Sequence, residues 1–535
     1  MSGSSLMQGA FILSAAIFFT KLIGMLFTIP FYAIVGSHGV YLYGFSYNPY
    51  AIILSISTVG VPLAVSKFVA KYNAMGDYKT GQRLFRSGLP LMTITGCIGF
   101  IIMYFGAPII VKLSDVHAQD YHDLIKIMRV LSFALIIVPS MSLIRGYFQG
   151  FQSMGPTALS QTVEQIVRIG CGLIGAFIIV DLLGGSKVTG VAFVTLGAFM
   201  GAVAGLIVLI RYWIKRKPHL DQLQSQSQEA SRPALTSMYK ELISYAIPFV
   251  CVGLATQLYL QIDQFTLNHF MREFHQISKG DLELIVDCLM QLDQKLVMIP
   301  VSLSTALALS VVPSISSSYV LGDRRDMYTK ITHALQLTIF LTIPAVIGLS
   351  VLSHMIYGLF YNVNDVAIGG EILRWYAPSA LFFALFSVTA AILQGINRQK
   401  VTILSLGVGI LLKLILNPIF IKWFDLTGSI WATDIGYLFS ILINCAVIRW
   451  ETQYSYKFII KRFLLVMIFG VIMWMGIEIL FLFHGSSTPE TKEQSLIYTV
   501  LGVLLGGAIF LILSLRSGLA RQVIGERLPF LRRWM

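Results

Sequence analysis

Long apolar runs separated by short polar stretches dominate the chain. Each run holds roughly 20 residues or more, the length that an α-helix needs to cross the hydrocarbon core of a bilayer. The runs fall at about residues 8–35, 44–70, 86–113, 124–148, 156–181, 188–212, 240–267, 288–318, 331–358, 373–394, 401–421, 428–448, 459–483 and 495–515. This pattern predicts an all-α polytopic membrane protein with about fourteen transmembrane helices.

Composition and charge agree with a membrane protein. Of the 535 residues, 56% are hydrophobic and only 12% are charged, too few charges to cover the surface of a soluble globule. The net charge of +13 would suggest nucleic-acid binding in a soluble protein, but cytoplasmic loops of membrane proteins also collect Lys and Arg. The basic loops follow the even-numbered predicted helices, so we expect both termini in the cytoplasm. The five cysteines show no metal-ligand spacing.

Two stretches of sequence occur twice. The run NPYAIILSISTVGVPLAVS aligns with IPVSLSTALALSVVPSISS, so that Pro49 matches Pro300. Further on, FQGFQSMGPTALSQTVEQIVRI aligns with LQGINRQKVTILSLGVGILLKLI, which places Arg168 on Lys413. Such internal repeats are typical of transporters with two related halves. We predict a lobe of six helices over residues 1–226, a second over 227–450, and two further helices with a basic cytoplasmic tail over 451–535. The polar stretch 215–237 is predicted to be a flexible linker.

Two lysines fall inside predicted helices, where a charge needs a partner or water. Lys21 lies midway along the first helix, on a face that it shares with Gly24. Lys295 precedes Pro300, and a proline bends a helix and frees backbone carbonyls. One interpretation is a pair of cavity cations, one from each lobe, that holds a phosphate-bearing ligand. The alternative is two lysines that reach the interface or pair with nearby carboxylates.

The duplicated stretch carries charges of its own. Glu164 and Arg168 are four residues apart, so we predict that they pair with each other. Lys413 has Gly409 where the first lobe has the acid, and therefore lacks that local partner.

The second lobe also concentrates polar oxygen atoms. Asp263, Asn417, Thr433 and Asp434 come from three predicted helices. Oxygen ligands on several helices can hold a monovalent cation and link its gradient to a conformational change. The alternative, that these acids only neutralise Lys413, is equally open.

Several runs give the chain a specific resemblance. FTKLIGMLFTIPFY, IRGYFQGFQSMGPTALSQTVEQIVRI and QKLVMIPVSLSTALALSVVPSIS resemble the MurJ-type lipid II flippases of Gram-positive bacteria, which are related to the stage V sporulation protein B group. These proteins belong to the multidrug/oligosaccharidyl-lipid/polysaccharide exporter superfamily. The resemblance covers essentially the whole chain.

The resemblance implies a central cationic cavity between the lobes and a groove for the polyprenyl tail along helices thirteen and fourteen. It also implies movement of undecaprenyl-pyrophosphoryl disaccharide-pentapeptide (lipid II) to the outer leaflet by alternating access, for cell-wall synthesis at the bacterial plasma membrane. The family's cavity arginines on helices one and eight match Lys21 and Lys295, while its other two cationic positions fall near Phe27 and near Leu54 or Ser55, which are uncharged.

The resemblance also suggests where ligands bind. We expect the substrate at Lys21, Lys295, Arg145, Gly24 and Pro300. The sodium ligands of one branch match Asp263, Asn417 and Thr433, although Lys413 could take the electrostatic role of the ion. We expect no cofactor, and coupling to sodium, protons or the membrane potential stays open. A monomer is expected, working beside the cell-wall synthesis machinery and binding membrane lipids but no nucleic acid.

Three other functions compete with this one. A drug exporter of the same superfamily would not need the two C-terminal helices. A flippase for another polyprenyl-pyrophosphate-linked polysaccharide would share the phosphates and the tail, so the sequence does not separate it. A membrane-embedded glycosyltransferase would need catalytic acids in long outer loops, and these outer loops are short with scattered acids. We therefore do not expect an enzyme.

Overall fold

The structure is a computed structural model that describes residues 19–20, 23–24, 26–58, 61–151, 153–227, 234–275, 277–484 and 488–520. Within these ranges the secondary structure is helical and contains no strand. Among the described residues, ten helical segments, some of which join consecutive helices, are long and apolar enough to cross a membrane. Large apolar side chains also face outward, as lipid contact requires; Phe105 is 67% exposed and Leu504 is 65% exposed. The all-α polytopic class is therefore confirmed, while the count of fourteen stays a prediction.

The chain divides into two compact units, residues 1–265 and 266–535. The helices of the first unit are α1 (Thr28–Thr58), α2 (Val61–Ala74), α3 (Tyr78–Leu113), α4 (Tyr121–Ser132), α5 (Ala134–Gly150), α6 (Gly155–Phe177) and α7 (Lys187–Ser225). A π-helical turn, Ile178–Leu182, extends α6. Helix α8 (Leu235–His275) contains the division between the units, so the predicted domain limits at 226 and 450 stay predictions.

The second unit begins within α8 and is built the same way. Its helices are α9 (Lys279–Asp287), α10 (Asp293–Val320), α11 (Arg324–Val351), α12 (Ser353–Phe360), α13 (Val366–Tyr376), α14 (Ser379–Gly395), α15 (Gln399–Phe424), α16 (Leu426–Thr452), α17 (Lys457–His484) and α18 (Lys492–Arg516). A π-helical turn, Cys288–Leu292, joins α9 to α10, and a short 3-10 turn, Val363–Asp365, precedes α13.

Short polar residues fix where several helices begin. Asp77 accepts a hydrogen bond from the backbone N–H of Thr80 at 3.1 Å and caps α3, and Ser186 caps α7 through Thr189 at 3.2 Å. Within α1, Gly36 adopts a φ of 73°, which interrupts the helix and separates its first two turns from the rest. Only glycine takes this conformation without strain, so the glycine at this position determines where the helix breaks.

The duplication is visible in the packing. In the first unit α6 packs along α7, and in the second the equivalent helices α15 and α16 pack along each other. Glycines allow the first of these pairs to approach closely. A Cβ on Gly197 would lie 2.5 Å from the carbonyl oxygen of Arg168, and one on Gly201 would lie 2.6 Å from that of Glu164. Small residues four apart are typical of tightly packed membrane helices. They hold the charged part of α6 against α7.

The predicted linker at 215–237 is wrong in its first half. Helix α7 continues to Ser225, through Pro218. Lys, Arg, Leu and Gln, which fill most of this stretch, are good helix formers, so the polar composition does not end the helix. Leu220 is also buried, at 7% exposure, in an apolar cluster with Met238 of α8. Packing of this kind favours an ordered helix over a flexible segment.

Candidate functional site

Lys295 and Pro300 lie on α10, whose start is joined to α9 by the π-helical turn. The Lys295 side chain is half-buried and Pro300 is buried. The predicted partner cation, Lys21, lies outside the described residues, so the shared cavity between two lysines stays a prediction. Gly24 is described, and a Cβ added there would lie 3.1 Å from the Gln165 side-chain nitrogen on α6. Gly24 thus marks a close approach of the first helical segment to α6.

Two buried acids stand just before Lys295, and our reading of the sequence did not single them out. Asp287 is 1% exposed and Asp293 is 0% exposed, one on each side of the π-helical turn. The turn is held in place by Tyr361, whose hydroxyl donates to the Leu292 carbonyl oxygen at 2.9 Å. The sequence could have indicated them, because two acids within one apolar run are unusual. In the structure their carboxyl groups lie on the same helical stretch as Lys295.

Arg145 is the centre of an ion pair inside the first unit. Its Nη2 lies 2.7 Å from Glu164 Oε2, and its Nε and Nη2 donate to Ser160 Oγ at 3.2 and 2.7 Å. Ser160 in turn donates to the Gly205 carbonyl oxygen at 3.0 Å, so the cluster joins α5, α6 and α7. The guanidinium is 11% exposed and its donors are directed at groups of its own unit.

The predicted pairing of Glu164 with Arg168 is wrong, because Glu164 pairs with Arg145 instead. Arg168 turns to two tyrosines of α1. Its Nη2 donates to Tyr43 Oη at 3.3 Å, and its guanidinium carbon lies 5.2 Å from the centre of the Tyr47 ring. A guanidinium over an aromatic face is stabilised by the negative face of the ring. The prediction from spacing along one helix therefore failed, because Arg145, which is more distant in the sequence, pairs with Glu164.

Lys413 is completely buried in the second unit, with 0% exposure. Its ammonium Nζ donates to the Ser429 carbonyl oxygen at 2.8 Å, to Ser429 Oγ at 3.1 Å and to Thr433 Oγ1 at 2.8 Å. These three oxygens come from one turn of α16, so the lysine ties α15 to α16. We call this arrangement the Lys413 cage.

The other residues predicted to hold a cation are distributed around this cage or lie on α8. Asn417, one turn after Lys413, donates through Nδ2 to Thr266 Oγ1 at 2.7 Å and is fully buried. Asp434 follows Thr433 on α16, and its Oδ1 is inaccessible to solvent and accepts no hydrogen bond from a described residue. Asp263 is buried on α8, one turn before Thr266. Within the second unit the structure thus brings Thr433 to Lys413 and Asn417 to α8.

The ammonium of Lys413 already lies at Thr433, one of the predicted sodium ligands. Thr433 Oγ1, one of the predicted ligands, already accepts a hydrogen bond from Lys413 and donates its own proton to the Ser429 carbonyl oxygen at 3.0 Å. An ion bound to this oxygen would lie near the ammonium group, and like charges repel strongly in a buried site. At Thr433 the structure therefore places the positive charge of Lys413.

An apolar groove lies along the last two helices. It encloses about 360 Å³ and is formed by α11, α17 and α18. Phe340 and Pro344 of α11, Met473 of α17, and Gly502 and Phe510 of α18 are among its lining residues. Gly502 lets α18 approach the wall closely, since an added Cβ would lie 2.5 Å from the side chain of Leu352. A groove without charged side chains suits a hydrocarbon chain.

Comparison with known sequences identifies relatives along the whole chain. The family described as "Polysaccharide biosynthesis protein" matches residues 6–319, and the family described as "MatE" matches residues 288–419. The sequence is 40% identical over 535 residues to Lipid II flippase MurJ of Bacillus subtilis (strain 168), which covers 98% of each chain.

The fold has relatives among solved structures. It is similar to Lipid II flippase MurJ in an inward closed conformation, with a TM-score of 0.68 and 18% identity over 96% of this chain and 100% of that one. It is also similar to an inward-facing multidrug resistance MATE family transporter of the MOP superfamily, with a TM-score of 0.62 and 15% identity over 81% of this chain and 98% of the other. At these identities the structures show the fold alone.

Proposed function

Because the chain belongs to the MurJ family of lipid II flippases, we propose that it moves lipid II from the inner to the outer leaflet of the bacterial plasma membrane. The observation that carries this proposal is 40% identity to a named lipid II flippase across 98% of both chains. We infer that the transported molecule is undecaprenyl-pyrophosphoryl disaccharide-pentapeptide, used for cell-wall synthesis.

The physical problem of this transport has two parts. A pyrophosphate cannot cross hydrocarbon without water or cationic partners, whereas its polyprenyl tail can stay in the bilayer throughout. The apolar groove of α11, α17 and α18 supports a place for the tail. A drug exporter would have no use for such a groove.

For the headgroup we propose a cavity between the lobes with Lys21 and Lys295 as its cations and Gly24 and Pro300 shaping the helices that carry them. Lys295 is half-buried, which supports a position accessible to a ligand and to water. Arg145 takes a different part in this scheme. Its ion pair with Glu164 braces three helices, so we propose that it positions the first lobe for substrate contact.

For energy coupling we propose that Lys413 supplies the positive charge that a bound cation would supply elsewhere. Asp263, Asn417, Thr433 and Asp434 then stabilise this ammonium and its helices, and no transport step runs through sodium. With both termini in the cytoplasm, the anionic headgroup moves toward the positive side of the membrane. Each charge that crosses the full field gains about 2.3 kcal/mol per 100 mV. The membrane potential can therefore assist transport by a monomer working beside the cell-wall synthesis machinery.

Depletion of the protein tests the proposal. In a strain where this chain is the sole flippase, we expect lipid II to accumulate in the inner leaflet, measured by its accessibility to an enzyme or label added outside the cells. The alternative, export of another polyprenyl-linked polysaccharide, is favoured by the description of the matching family over residues 6–319. Unchanged lipid II distribution with loss of another surface glycan would favour that alternative and overturn our proposal.

A further inference from the structure

A second cavity lies at the start of α11, away from the residues discussed so far. It measures about 590 Å³, within the range of small-molecule sites. Its lining includes Arg324, Arg325, Tyr328, Thr332, His333 and Gln336. None of the described lining residues is acidic. Among the described lining residues there are thus two guanidinium groups and an imidazole but no carboxylate.

Most of the side-chain hydrogen-bond donors in this cavity have no acceptor among the described residues. The side chains of Arg325 and His333 make no hydrogen bond or ion pair with another described residue, and the Arg324 side chain only donates to Gln453 Oε1 at 3.3 Å. Gln336 is 7% exposed yet has no hydrogen-bond partner among the described residues. Its amide therefore offers one acceptor and two donor hydrogens to a polar group that enters the cavity.

The walls beside these donors are ordered. Tyr328 donates its hydroxyl to the Thr452 carbonyl oxygen, and Thr332 Oγ1 lies 2.6 Å from the hydroxyl of Tyr454. Burial raises the pKa of Tyr454, so its phenol stays neutral and does not repel an anion. The start of α11 is thus joined by two hydrogen bonds to the end of α16 and the loop that follows it.

The same helix continues directly into the apolar groove. Gln336, at the inner end of the cationic cavity, is four residues before Phe340, which begins the groove on α11. Four residues are about one helical turn, or roughly 6 Å. A single stripe of α11 therefore offers cationic donors first and hydrocarbon-binding surface next. This order matches a lipid that carries phosphate on a long apolar tail.

We propose that the cavity at Arg324, Arg325, His333 and Gln336 binds the pyrophosphate of a polyprenyl carrier whose tail lies in the groove of α11, α17 and α18. The basic loops place this end of α11 in the cytoplasm, where the carrier is made. The cavity is then a loading site that holds the substrate before its headgroup enters between the lobes. The inference rests on the proposed function, but binding can be measured without transport.

Binding of geranylgeranyl pyrophosphate to the purified full-length protein tests the site. We expect the chain to bind it at least tenfold more tightly than geranylgeraniol, which lacks the phosphates, and than inorganic pyrophosphate, which lacks the tail. Arg325→Gln should weaken geranylgeranyl pyrophosphate binding about tenfold or more, the effect of losing a charge-assisted hydrogen bond. Gln336→Leu should weaken it less. Binding of geranylgeraniol should not change in either variant.

Lys400→Gln is the matched control, because it removes one exposed positive charge from the same end of the molecule but outside the cavity. Unfolding temperatures of all three variants establish that they are folded. Equal binding to the chain and to the Arg325→Gln variant would overturn the inference. So would an equal loss in Lys400→Gln, because it would show that only net charge matters.

Phosphatidylglycerol in the same assay separates the two sources of a lipid phosphate. If phosphatidylglycerol displaces geranylgeranyl pyrophosphate at equal concentration, and if its own affinity falls equally in Arg325→Gln, the site binds bulk anionic lipid. In that case the loading role is overturned. The outcome for the proposed function is separate: normal lipid II flipping with unchanged binding in Arg325→Gln would remove the loading site alone, whereas failure of flipping in the unaltered chain would remove the function.

Discussion

Arg168 and Lys413 occupy the same position in the two halves of the repeat, yet the halves stabilise them by different means. In the first unit the cation lies against tyrosines, with Tyr43 Oη at 3.3 Å and the Tyr47 ring at 5.2 Å. In the second unit the cation sits in a cage of three oxygens from Ser429 and Thr433. Duplication preserved the charge but not its surroundings.

The presence of Glu164 in the first unit explains much of the difference between the two environments. Glu164 in the first unit is free to pair with Arg145 because Arg168 has tyrosines, whereas the equivalent position of the second unit is Gly409. Without a carboxylate at that place on α15, Lys413 donates to neutral oxygens of α16 and also interacts electrostatically with Asp434. The ion pair also has a neutral counterpart: Ser405, the repeat partner of Ser160, donates to Asn444 Oδ1 at 2.7 Å. The ion pair at Ser160 in the first unit is thus matched in the second unit by a hydrogen bond between the neutral side chains of Ser405 and Asn444.

The largest loss of unfolding free energy should come from breaking the Arg145–Glu164 ion pair of the first unit. Glu164→Gln leaves the Arg145 guanidinium in a largely buried place without its carboxylate, a loss of roughly 3–5 kcal/mol. We expect a markedly lower unfolding temperature of the purified protein. Adding Arg145→Met should restore most of it, since both charges are then gone. An unfolding temperature unchanged by Glu164→Gln would contradict the assigned pair.

The next effect should come from the cage of the second unit. Lys413→Met leaves the oxygens of Ser429 and Thr433 without their donor, a loss of about 3 kcal/mol of unfolding free energy. Sodium, compared with choline at equal ionic strength, should raise the unfolding temperature of this variant but not of the unaltered chain. Stabilisation of the unaltered chain by sodium would show that Lys413 does not take the place of the ion.

A smaller effect is expected where α6 meets α7. Gly201→Ala would place a methyl group 2.6 Å from the Glu164 carbonyl oxygen, and overpacking of this kind costs about 2 kcal/mol. Gly407→Ala is the matched control, because no atom lies within 4 Å of a Cβ built there. The two variants should differ in unfolding temperature, and equal values would argue against close packing of α6 on α7.

The smallest effect should come from Arg168→Lys. It keeps the charge but loses the planar group that covers the Tyr47 ring, so we expect a loss of about 1 kcal/mol, measured by chemical unfolding in detergent. The reciprocal change, Lys413→Arg, should cost more, because a larger group must enter a fully buried cage. If Arg168→Lys costs as much as Lys413→Arg, the two environments are less different than described.

The sequence predicted the class of fold and the duplication because both depend on patterns that extend over many residues. Apolar runs of about 20 residues and two aligned repeats survive errors at single positions. The isolation of Lys413 from an acid on its own helix was also visible, since Gly409 stands where Glu164 stands in the first half.

Pairing between helices could not be predicted in the same way. The four-residue spacing of Glu164 and Arg168 indicated a local ion pair, but Arg145 of α5 reaches the same carboxylate at 2.7 Å. Only the packing of α5 on α6 brings that competitor close. Arg324 and Arg325 of the cationic cavity were likewise assigned only to a basic loop, and periodicity alone does not reveal that Gln336 of the following helix is buried. The prediction of a flexible linker after residue 215 failed because the polar residues of this stretch also favour helix.

The most direct measurement of the central claim is the leaflet distribution of lipid II in cells that depend on this chain alone, compared between the unaltered protein and Lys295→Ala at equal membrane levels. We predict that lipid II becomes accessible from outside with the unaltered protein and stays inside with Lys295→Ala. Equal accessibility in both strains would contradict the cationic path, and lipid II that stays inside with the unaltered protein would contradict the function itself.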